Sequence, residues 1–257
     1  MRIALDAMGG DFAPDNEVQG AVLAAESVSS KTDLEVIFVG REQDIRASLS
    51  KIDSSKLHYS IVHADDIVGM GDEASTVVKK KRNSSLFKGI ELHADGKADG
   101  FVSTGNTGAV MSTATLVLGR VKGVSRPTIG SFFPTVNNRP ALLVDAGANI
   151  DCKARHLYEF AIMGSIYYSQ ILDVEFPKVG LLNVGEERTK GTEVVLQTYD
   201  LLEQSPLNFI GNVEGRDILF GNADVFVCDG FTGNIILKFA ESIIGVLKAK
   251  VQQHADK

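Results

Sequence analysis

The most constraining feature of this 257-residue sequence is a regular alternation of short apolar runs and longer stretches with helical spacing. The apolar runs are rich in β-branched residues, as in strands that are buried on both faces. They are Arg2–Ala7, Leu34–Val39, Leu57–His63, Gly100–Ser103, Ala141–Asp145, Val179–Val184, Leu207–Gly211 and Asp224–Cys228. Strands that alternate with helices form βαβ crossovers. The sequence therefore predicts an α/β fold with a mostly parallel sheet.

Helices are predicted in the stretches between these strands. Their ranges are Glu17–Ser29, Glu42–Lys51, Ser84–Asp95, Ala109–Gly119, Ala154–Leu172, Thr192–Gln204, Gly215–Phe220 and Asn234–Gln252. The segment Pro127–Pro140 fits neither pattern, and we expect an irregular strand, a hairpin or an interface arm there. No proline-, glycine- or serine-rich linker interrupts the chain, so residues 1–257 are assigned to a single α/β domain.

One predicted strand, Gly100–Ser103, runs directly into a small polar turn, Thr104–Gly108, and then into a helix. The free N–H groups at a helix N-terminus and the positive end of the helix dipole favour an anion. The Thr-Gly-Asn core returns in Asp229–Asn234, again between an apolar run and a helix. The two turns predict a site for a phosphate-like group. The alternative is that each is a tight βα connection with a good N-cap.

Polar, glycine-bearing loops follow five of the predicted strands. They are Asp6–Asp11, Ser103–Gly108, Asp145–Asn149, Gly185–Gly191 and Asp229–Asn234. Ligands of open parallel sheets bind at the carboxyl ends of the strands, so we expect these loops to gather at one sheet edge.

Several classes of function are disfavoured. No Rossmann or Walker A glycine motif follows a strand, and no nucleophile-elbow motif occurs. The five histidines lie outside the five loops. Cys228 ends a buried strand, where an acyl-cysteine is conceivable, but a structural thiol is favoured because no nearby cation in the sequence would lower its pKa.

Charge and cysteine usage indicate the setting. A net charge of −7 argues against nucleic acid as the main partner. The two cysteines form no metal-binding or disulfide pattern, the N-terminus has no signal-peptide core, and no run of 18 apolar residues exists. These features predict a cytoplasmic protein.

Four polar residues of the loops are candidates for ligand binding. Lys190 offers a point charge and three donors to a phosphate or a developing oxyanion, although a surface lysine is the alternative. Asn106, Asn149 and Asn234 each follow a loop glycine closely, and each could donate its amide to a ligand oxygen or cap a helix.

A metal site is an alternative for the aspartates of these loops. Asp6 and Asp11 bracket a glycine pair and could bind a divalent ion with Asp145. Their spacing matches no known ligand pattern, and Asp6 could equally accept backbone N–H bonds in the turn. No metal and no cofactor is predicted.

A local basic run stands out from the acidic chain. It consists of Lys79, Lys80, Lys81 and Arg82. Such a run is usually a solvated helix face, and the alternative is a docking patch for an acidic partner.

The loops together resemble the successive signatures of the acyl-carrier-protein:phosphate acyltransferases, bacterial enzymes of phospholipid synthesis. The matching segments are Asp6–Asp11, Thr104–Ala109, Asp145–Asn149, Gly180–Glu187 with Lys190–Gly191, Gly211–Glu214 and Asp229–Asn234. The resemblance covers essentially the whole chain in the right order. It implies a three-layer α/β/α fold related to phosphotransacetylases and isocitrate dehydrogenases.

The resemblance also implies an activity and partners. The enzyme would convert a long-chain acyl thioester on acyl carrier protein, plus inorganic phosphate, into acyl phosphate, as a homodimer loosely attached to the cytoplasmic membrane face. Such proteins continue past the equivalent of Lys257, so this chain is expected to lack their C-terminal section. A phosphotransacetylase using coenzyme A and a non-catalytic domain that binds acyl carrier protein are the alternatives.

This activity suggests roles for the loop residues. Phosphate is largely a dianion near neutral pH and needs no histidine base. The Thr104–Gly108 turn and Asn234 would bind phosphate, Lys190 would neutralise the oxyanion or the departing thiolate, and Asp229 would orient Lys190 or Asn234. The other predicted substrate-binding residues are Asp6, Gly9, Asp11, Ser103, Thr104, Gly105, Asn106, Thr107, Asp145, Asn149, Glu186, Thr232 and Gly233.

The predicted last helix, Asn234–Gln252, carries a broad apolar stripe with lysines elsewhere on its surface. Such a helix usually packs on a core or on a partner subunit. A helix that lies on a membrane surface has a similar pattern.

Overall fold

The structure is a computed structural model that describes residues 1–28 and 33–255. It separates the chain into two compact units, Met1–Val121 and Lys122–Lys257, and each unit has its own sheet. The sequence pattern predicts one sheet, because no linker marks a boundary between the units. The division into two compact units does not decide whether residues 1–257 form a single domain, and that assignment stays a prediction.

The first unit is a four-stranded parallel sheet in the order β3-β2-β1-β4. Its strands are β1 (Arg2–Asp6), β2 (Glu35–Gly40), β3 (His58–His63) and β4 (Gly100–Val102). Its helices are α1 (Asp15–Ser27), α2 (Glu42–Leu49), α3 (Ala74–Lys80), α4 (Ser85–Ala94) and α5 (Thr107–Val117).

Helices cover both faces of this sheet because the side chains of β2 alternate between two cores. Val36 and Phe38 belong to the cluster that contains Val18 of α1. Ile37 and Val39 point the other way, into the cluster that contains Leu92 of α4. A strand that is apolar on both faces is typical of a parallel sheet between two helical layers.

The second unit is a five-stranded sheet in the order β5-β6-β9-β7-β8, parallel except for β5. Its strands are β5 (Gly130–Phe133), β6 (Ala141–Val144), β7 (Lys178–Leu182), β8 (Asn208–Val213) and β9 (Val225–Val227). Its helices are α6 (Ala154–Leu172), α7 (Glu193–Glu203), α8 (Gly215–Phe220) and α9 (Gly230–Ala255).

In the second unit, side chains of β6 also alternate between two cores on opposite faces of the sheet. Leu142 and Val144 of β6 pack in one core with Phe160 of α6. Leu143 lies in the opposite core, against which Ile236 of α9 packs. The predicted three-layer α/β fold with mostly parallel strands is therefore confirmed.

All eight predicted strands are present, with ends that differ by one or two residues. The Pro127–Pro140 segment contains β5, which forms an antiparallel hairpin with β6. Helix α3 was not predicted, because it is short and holds the β-branched run Thr76–Val78, which has low helix propensity. Ser29, the predicted end of the first helix, lies outside the described residues.

The expected gathering of five loops at one sheet edge is corrected by the two sheets. The loops after β1 and β4 belong to the first unit, and those after β6, β7 and β9 belong to the second. A repeated strand–helix pattern does not reveal where one sheet ends and another begins, so the sequence analysis merged them.

Helix α9 contains a stretch, Gly230–Gln253, that is long and apolar enough to cross a bilayer by length and composition alone. The stretch contains no unbroken apolar run of 18 residues, because lysines, a glutamate and glycines interrupt it. A long core helix can have the same length and composition, but such a helix is mostly buried, whereas 12% of this stretch is buried.

Candidate active site

At the carboxyl ends of β1 and β4, a buried carboxylate organises the backbone. Asp6 is only 1% exposed, and its Oδ1 accepts the N–H of Met8 at 3.1 Å. Its Oδ2 accepts the hydroxyl of Ser103 at 2.8 Å, and the Ser103 Oγ in turn accepts the N–H of Gly105 at 3.1 Å. Gly9 lies so close that an added Cβ would stand 2.6 Å from Asp6 Oδ2. Asp6 and Ser103 therefore fix the two loops of the first unit against each other.

A second carboxylate receives the neighbouring hydroxyl. Thr104 donates its Oγ1 proton to Oε1 of Glu17 on α1 at 2.7 Å. Glu17 is 6% exposed, and within the described part of the chain its Oε2 has no hydrogen-bond partner. Gly10 leaves room for this pair, since an added Cβ would stand 2.2 Å from Glu17 Oε1. Asp11 and Thr107 are exposed.

Asn106 caps α5 and anchors a neighbouring loop. Its Oδ1 accepts the N–H of Ala109 at 3.0 Å, as an N-cap does. Its Nδ2 lies 3.0 Å from the carbonyl oxygens of both Met70 and Asp72 and 3.4 Å from that of Gly69. The amide of Asn106 is thus committed within the protein.

These contacts change the expected chemistry of the 104–108 turn. The hydroxyl protons of Ser103 and Thr104 point to carboxylates, and the Asn106 amide points to carbonyl groups. The donors that remain for a ligand are backbone N–H groups at the start of α5, not these side chains. Two carboxylates beside the turn also make it less favourable for a dianion than the sequence suggested.

In the second unit, Asp145 is the central acceptor of the loop after β6. It is fully buried, and its Oδ1 accepts the N–H groups of Ile129 at 3.4 Å, Gly147 at 3.1 Å and Ala148 at 2.8 Å. Its Oδ2 accepts both the N–H of Asn149 at 2.8 Å and the Nδ2 of Asn149 at 2.7 Å. A carboxylate surrounded by donors in this way acts as a scaffold and is a poor metal ligand.

Asn149 shares that scaffold role. It is 8% exposed, and besides Asp145 its Nδ2 donates to the carbonyl of Pro127 at 2.8 Å. Its own carbonyl accepts the N–H of Gly230 at 2.7 Å. The residue therefore joins the loop after β6 to the first turn of α9.

The start of α9 approaches this loop closely. A Cβ on Gly233 would stand 1.8 Å from the carbonyl oxygen of Asp145, and one on Gly230 would stand 2.7 Å from the backbone nitrogen of Asn149. No side chain fits at either position, because the obstructing atoms are backbone. The glycines predicted from the second Thr-Gly-Asn turn are thus required by packing.

Asp229 caps the start of α9. Its Oδ1 accepts the N–H of Thr232 at 2.9 Å, and its Oδ2 accepts the hydroxyl of Thr232 at 3.0 Å. The expected orienting bond from Asp229 to Lys190 or Asn234 is absent among the described contacts. Asn234 is exposed, and its side chain lies over Gly147, where an added Cβ would be 3.4 Å from Oδ1 of Asn234.

Two asparagines hold the loop that carries Lys190. Asn183, directly after β7, donates its Nδ2 to the carbonyl of Lys190 at 2.9 Å. Asn212 of β8 donates its Nδ2 to the carbonyl of Glu187 at 3.0 Å. Lys190 itself is exposed and forms no ion pair with any residue the structure describes. Glu186 faces Arg216 at 3.5 Å.

Sequence reasoning missed Glu17, Asn183 and Asn212 as organising residues. Asn183 and Asn212 carried a signal, since each polar amide stands at or near the carboxyl end of an otherwise apolar strand. Glu17 carried none, because a glutamate in the first turn of a helix is ordinary.

The thiols are unsuited to nucleophilic catalysis. Burial, together with the negative charges of Asp145 and Asp229, raises the pKa of Cys152 to about 11. Burial also raises the pKa of Cys228 well above the ordinary range. Both cysteines are buried and free. The interpretation of Cys228 as a structural thiol fits this setting.

His63 ends β3 but lacks a free nitrogen. Its Nδ1 accepts the N–H of Glu42 at 3.3 Å, and its Nε2 lies 2.8 Å from Oδ1 of Asp65. Among the described residues, no group of three or more potential metal ligands is found.

The basic run divides into exposed and inward-facing residues. Lys79, Lys80 and Arg82 are exposed, and the guanidinium of Arg82 lies 5.8 Å from the ring centre of Phe87. Lys81 is different: its ammonium contacts the carboxylate of Asp72 and donates to the carbonyl of Ile67 at 2.8 Å.

Solved structures identify the class of fold. The chain superposes on a phosphotransacetylase from Streptococcus pyogenes with a TM-score of 0.67 at 20% identity. The superposition covers 95% of this chain and 82% of the phosphotransacetylase. The EutD phosphotransacetylase from Staphylococcus aureus gives a TM-score of 0.64 at 20% identity over the same shares. The protein therefore has the phosphotransacetylase fold.

Sequence comparison identifies the family within that fold. The model of the family described as "Fatty acid synthesis protein" matches residues 1–257. A phosphate acyltransferase from Dictyoglomus turgidum is 46% identical over 248 residues, 96% of this chain and 73% of the relative. One from Acaryochloris marina is 48% identical over 244 residues, 94% of this chain and 70% of the relative. The chain belongs to this family of fatty acid synthesis proteins and is an acyltransferase.

Proposed function

We propose that this acyltransferase moves the long-chain acyl group of an acyl-[acyl carrier protein] onto inorganic phosphate, giving acyl phosphate for phospholipid synthesis. A phosphate oxygen attacks the thioester carbonyl carbon, a C–O bond forms and the C–S bond breaks. The carrier's thiolate leaves and takes up a proton from water. The observation that carries the proposal is the match of nearly the whole chain to phosphate acyltransferases at 46–48% identity.

Lys190 is the proposed electrostatic catalyst. Its ammonium is exposed and has no carboxylate partner among the described residues, so its charge is available to a ligand. Asn183 and Asn212 hold its loop by two backbone carbonyls, which limits the positions the ammonium can take. A well-placed donor to a tetrahedral oxyanion lowers the barrier by about 3–4 kcal/mol.

The first turn of α9 is the proposed phosphate-binding element. Asn234 is exposed and unbonded within the described chain, and the helix N-terminus adds a partial positive charge. Asp229 contributes by fixing Thr232, and therefore the turn that presents Gly233 and Asn234, instead of by orienting Lys190. The buried Asp145 and Asn149 support the same turn from below.

Within the first unit, the 104–108 turn is proposed to bind an anionic group of a substrate through backbone N–H groups. Asp6 and Ser103 shape that turn, and Gly9 and Gly105 allow the two loops to approach. Asp11, Thr107 and Glu186 are exposed and remain candidates for substrate contact.

An acidic carrier protein would dock on the exposed part of the basic run. Lys79, Lys80 and Arg82 offer three positive charges that are free to meet an acidic surface, and such complementarity mainly raises the association rate. Replacing Lys79 and Lys80 by glutamate should raise the KM for acyl carrier protein substrates. If that KM were unchanged, docking would lie elsewhere.

The protein is proposed to be cytoplasmic. Helix α9 is its proposed contact surface for a second copy of the chain or for the membrane. Ile235, Phe239, Val246 and Val251 are each more than half exposed on its surface. Exposed apolar side chains in one long helix mark an interaction surface. A homodimer would cover this face with a second copy, and peripheral membrane contact would cover it with lipid.

A coenzyme A-dependent phosphotransacetylase is the second candidate, and it is consistent with the fold that the chain shares with solved phosphotransacetylases. The two activities differ in the thiol that carries the acyl group. The test is to measure phosphate-dependent consumption of palmitoyl-[acyl carrier protein] and of palmitoyl-coenzyme A by the same preparation. The proposal requires the carrier-protein substrate to be used with the higher kcat/KM. Preference for coenzyme A would support the phosphotransacetylase, and binding of the carrier without turnover would support a non-catalytic domain.

A further inference from the structure

We propose that Lys81 and Asp72 are positioning residues for the turn that opens α5, acting through Asn106. Lys81 would then serve the reaction in a different way from the exposed basic residues beside it. The inference rests on the proposed function only in so far as this turn contacts substrate. Every contact in it lies within the first unit.

Lys81 is turned inward, although it lies in a run of four basic residues. Its side chain is 29% exposed, and its ammonium makes contacts with the carboxylate of Asp72 and the carbonyl of Ile67. Lys79, Lys80 and Arg82 are exposed. A half-buried ammonium with two acceptors cannot offer its charge to a docking protein without losing both.

Asp72 passes this restraint to the loop 67–72. The same Oδ2 that meets Lys81 also accepts the N–H of Gly69 at 2.8 Å, and the N–H of Asp72 donates to the carbonyl of Gly69 at 3.1 Å. Lys81 holds the loop at Ile67 as well. The loop is therefore closed on itself and fastened to the end of α3.

The fastened loop presents three carbonyl groups to a single side chain. The Nδ2 of Asn106 has the carbonyl oxygens of Gly69, Met70 and Asp72 as acceptors, at 3.4, 3.0 and 3.0 Å. Its Oδ1 caps α5 at Ala109. The orientation of the Asn106 amide therefore depends on where the loop holds its carbonyls, and the first turn of α5 depends on Asn106.

Packing limits movement along the connection from Lys81, through the loop 67–72, to Asn106. Val68 in the loop, Val77 of α3 and Ala109 of α5 belong to one buried cluster. An added Cβ on Gly108 would stand 3.9 Å from the Cβ of Ala74, at ordinary van der Waals distance from α3. A shift of the 67–72 loop would therefore reach the N–H groups of the 104–108 turn. Such a shift would move a bound substrate away from its reactive position, and a misplacement of about 1 Å can lower the rate about a hundredfold.

The Asp72 carboxylate is well suited to this task. The hydrogen bond from Lys81, followed by that from the Gly69 N–H, holds the pKa of Asp72 below its usual range. Asp72 therefore stays ionised at neutral pH and remains an acceptor for Lys81 and for the N–H of Gly69.

The experiment compares Lys81→Met with Lys81→Arg, Asp72→Asn and Lys80→Met in the full 257-residue chain, on palmitoyl-[acyl carrier protein] at varied phosphate. We expect Lys81→Met to lower kcat roughly ten- to a hundredfold with little change in the KM for the carrier protein. Lys81→Arg should restore much of the rate, since a guanidinium can reach the same two acceptors. Lys80→Met should raise the KM for the carrier protein and keep kcat.

Hydrogen exchange gives a readout that is independent of turnover. In Lys81→Met and, more weakly, Asp72→Asn, amides of the 104–110 segment should lose protection while β2 keeps its protection. Lys97→Met is the matched control, because it breaks an exposed lysine–aspartate pair of the same unit, with Asp95 at 3.0 Å. The control should leave the 104–110 segment unchanged.

The outcomes separate this inference from the proposed function. A Lys81→Met effect confined to the KM for the carrier protein, or unchanged protection of the 104–110 segment, would overturn the positioning role. If the unaltered chain transferred no acyl group to phosphate, the proposed function would fail. The hydrogen-exchange data would still show whether Lys81 and Asp72 stabilise the 104–110 segment. If Lys81→Met did not fold, the same two measurements on Asp72→Asn would decide it.

Discussion

The hydroxyl of Ser103 lies 2.8 Å from Oδ2 of Asp6, so the residue that follows β4 donates its proton to the residue that ends β1. The same oxygen of Ser103 accepts the N–H of Gly105 at 3.1 Å. A polar turn that looks like a set of donors for an anion is in fact organised around a buried carboxylate. The side chains of this turn shape the loop, and its backbone is left to meet a ligand.

Replacing Ser103 by alanine should therefore reduce stability. The change leaves a buried oxygen of Asp6 and the N–H of Gly105 without their partner, which costs about 1–3 kcal/mol. Urea unfolding of Ser103→Ala measures the loss. Ser50→Ala is the control, because Ser50 is exposed and its hydroxyl donates to the nearby carbonyl of Ala47 at the end of α2. Equal stabilities of the two variants would contradict the structural role of Ser103.

Gly233 should not tolerate a side chain. An added Cβ would stand 1.8 Å from the carbonyl oxygen of Asp145, so Gly233→Ala must displace the start of α9 or the loop after β6. We expect Gly233→Ala to lower the melting temperature and to abolish acyl transfer. Gly245→Ala, in the same helix but with open space around it, should raise stability by about 0.5–1 kcal/mol. Normal activity of Gly233→Ala would refute the close approach.

The cysteines should be unreactive in the folded protein. With the pKa of Cys152 raised to about 11 and that of Cys228 raised by burial, few thiolates exist at pH 8. Iodoacetamide at pH 8 should label neither cysteine until urea unfolds the chain, as mass spectrometry of the peptides would show. Rapid labelling of Cys228 in the native protein would revive an acyl-cysteine intermediate.

The same shift affects stability at high pH. The folded-state pKa of Cys152 lies above its ordinary value of 9.0, so the protonated thiol favours the folded state. Its contribution is complete below about pH 9 and is lost as the pH rises towards 11. Cys152→Ser should weaken this alkaline loss in urea titrations at pH 8 and pH 10.5. An identical loss in the variant would assign it to other groups.

The apolar surface of α9 predicts membrane retention or self-association. Phe239 is 66% exposed, and Phe239→Glu places a charge on the proposed contact face. The unaltered chain should sediment with anionic vesicles or elute as a dimer in light scattering, and the variant should lose that property. Glu241→Gln, also exposed on α9, should keep it. If Phe239→Glu changed neither measurement, α9 would not be the contact face.

Much of the fold was predictable because each strand is a short apolar run that can be recognised in the sequence. The apolar runs of β2 and β6 are buried on both faces, and a parallel strand between two helical layers needs that composition. The hidden features were the second sheet and helix α3. The second sheet depends on long-range pairing, because β9 pairs with β6 and β7, which are far from it in sequence. Helix α3 is short and holds β-branched residues of low helix propensity.

The substrate-binding roles of the loop residues stay predictions, and their hydrogen bonds could not be predicted from the sequence. Gly233 and Asp145 were expected from the loops, and the structure explains both by close backbone approach and donor saturation. A sequence does not show which way a hydroxyl points, so Thr104 was assigned to phosphate while its proton goes to Glu17. Lys81 was grouped with its neighbours for the same reason.

In an acyltransferase that uses phosphate, the exposed ammonium of Lys190 can stabilise the charge that develops in the reaction. Asn183 and Asn212 position its loop, and no described carboxylate neutralises it. Lys190→Ala should therefore lower kcat by about a hundredfold or more, the effect of losing one oxyanion donor, without changing the fold. Lys178→Ala, an exposed lysine at the opposite end of β7, is the control.

The most direct measurement is the rate of palmitoyl phosphate formation from palmitoyl-[acyl carrier protein], with and without inorganic phosphate, for the unaltered chain and for Lys190→Ala. We predict formation that requires phosphate, is lost in Lys190→Ala and is kept in Lys178→Ala. Phosphate-dependent formation at the same rate in Lys190→Ala, with its circular dichroism and melting temperature unchanged, would contradict the account.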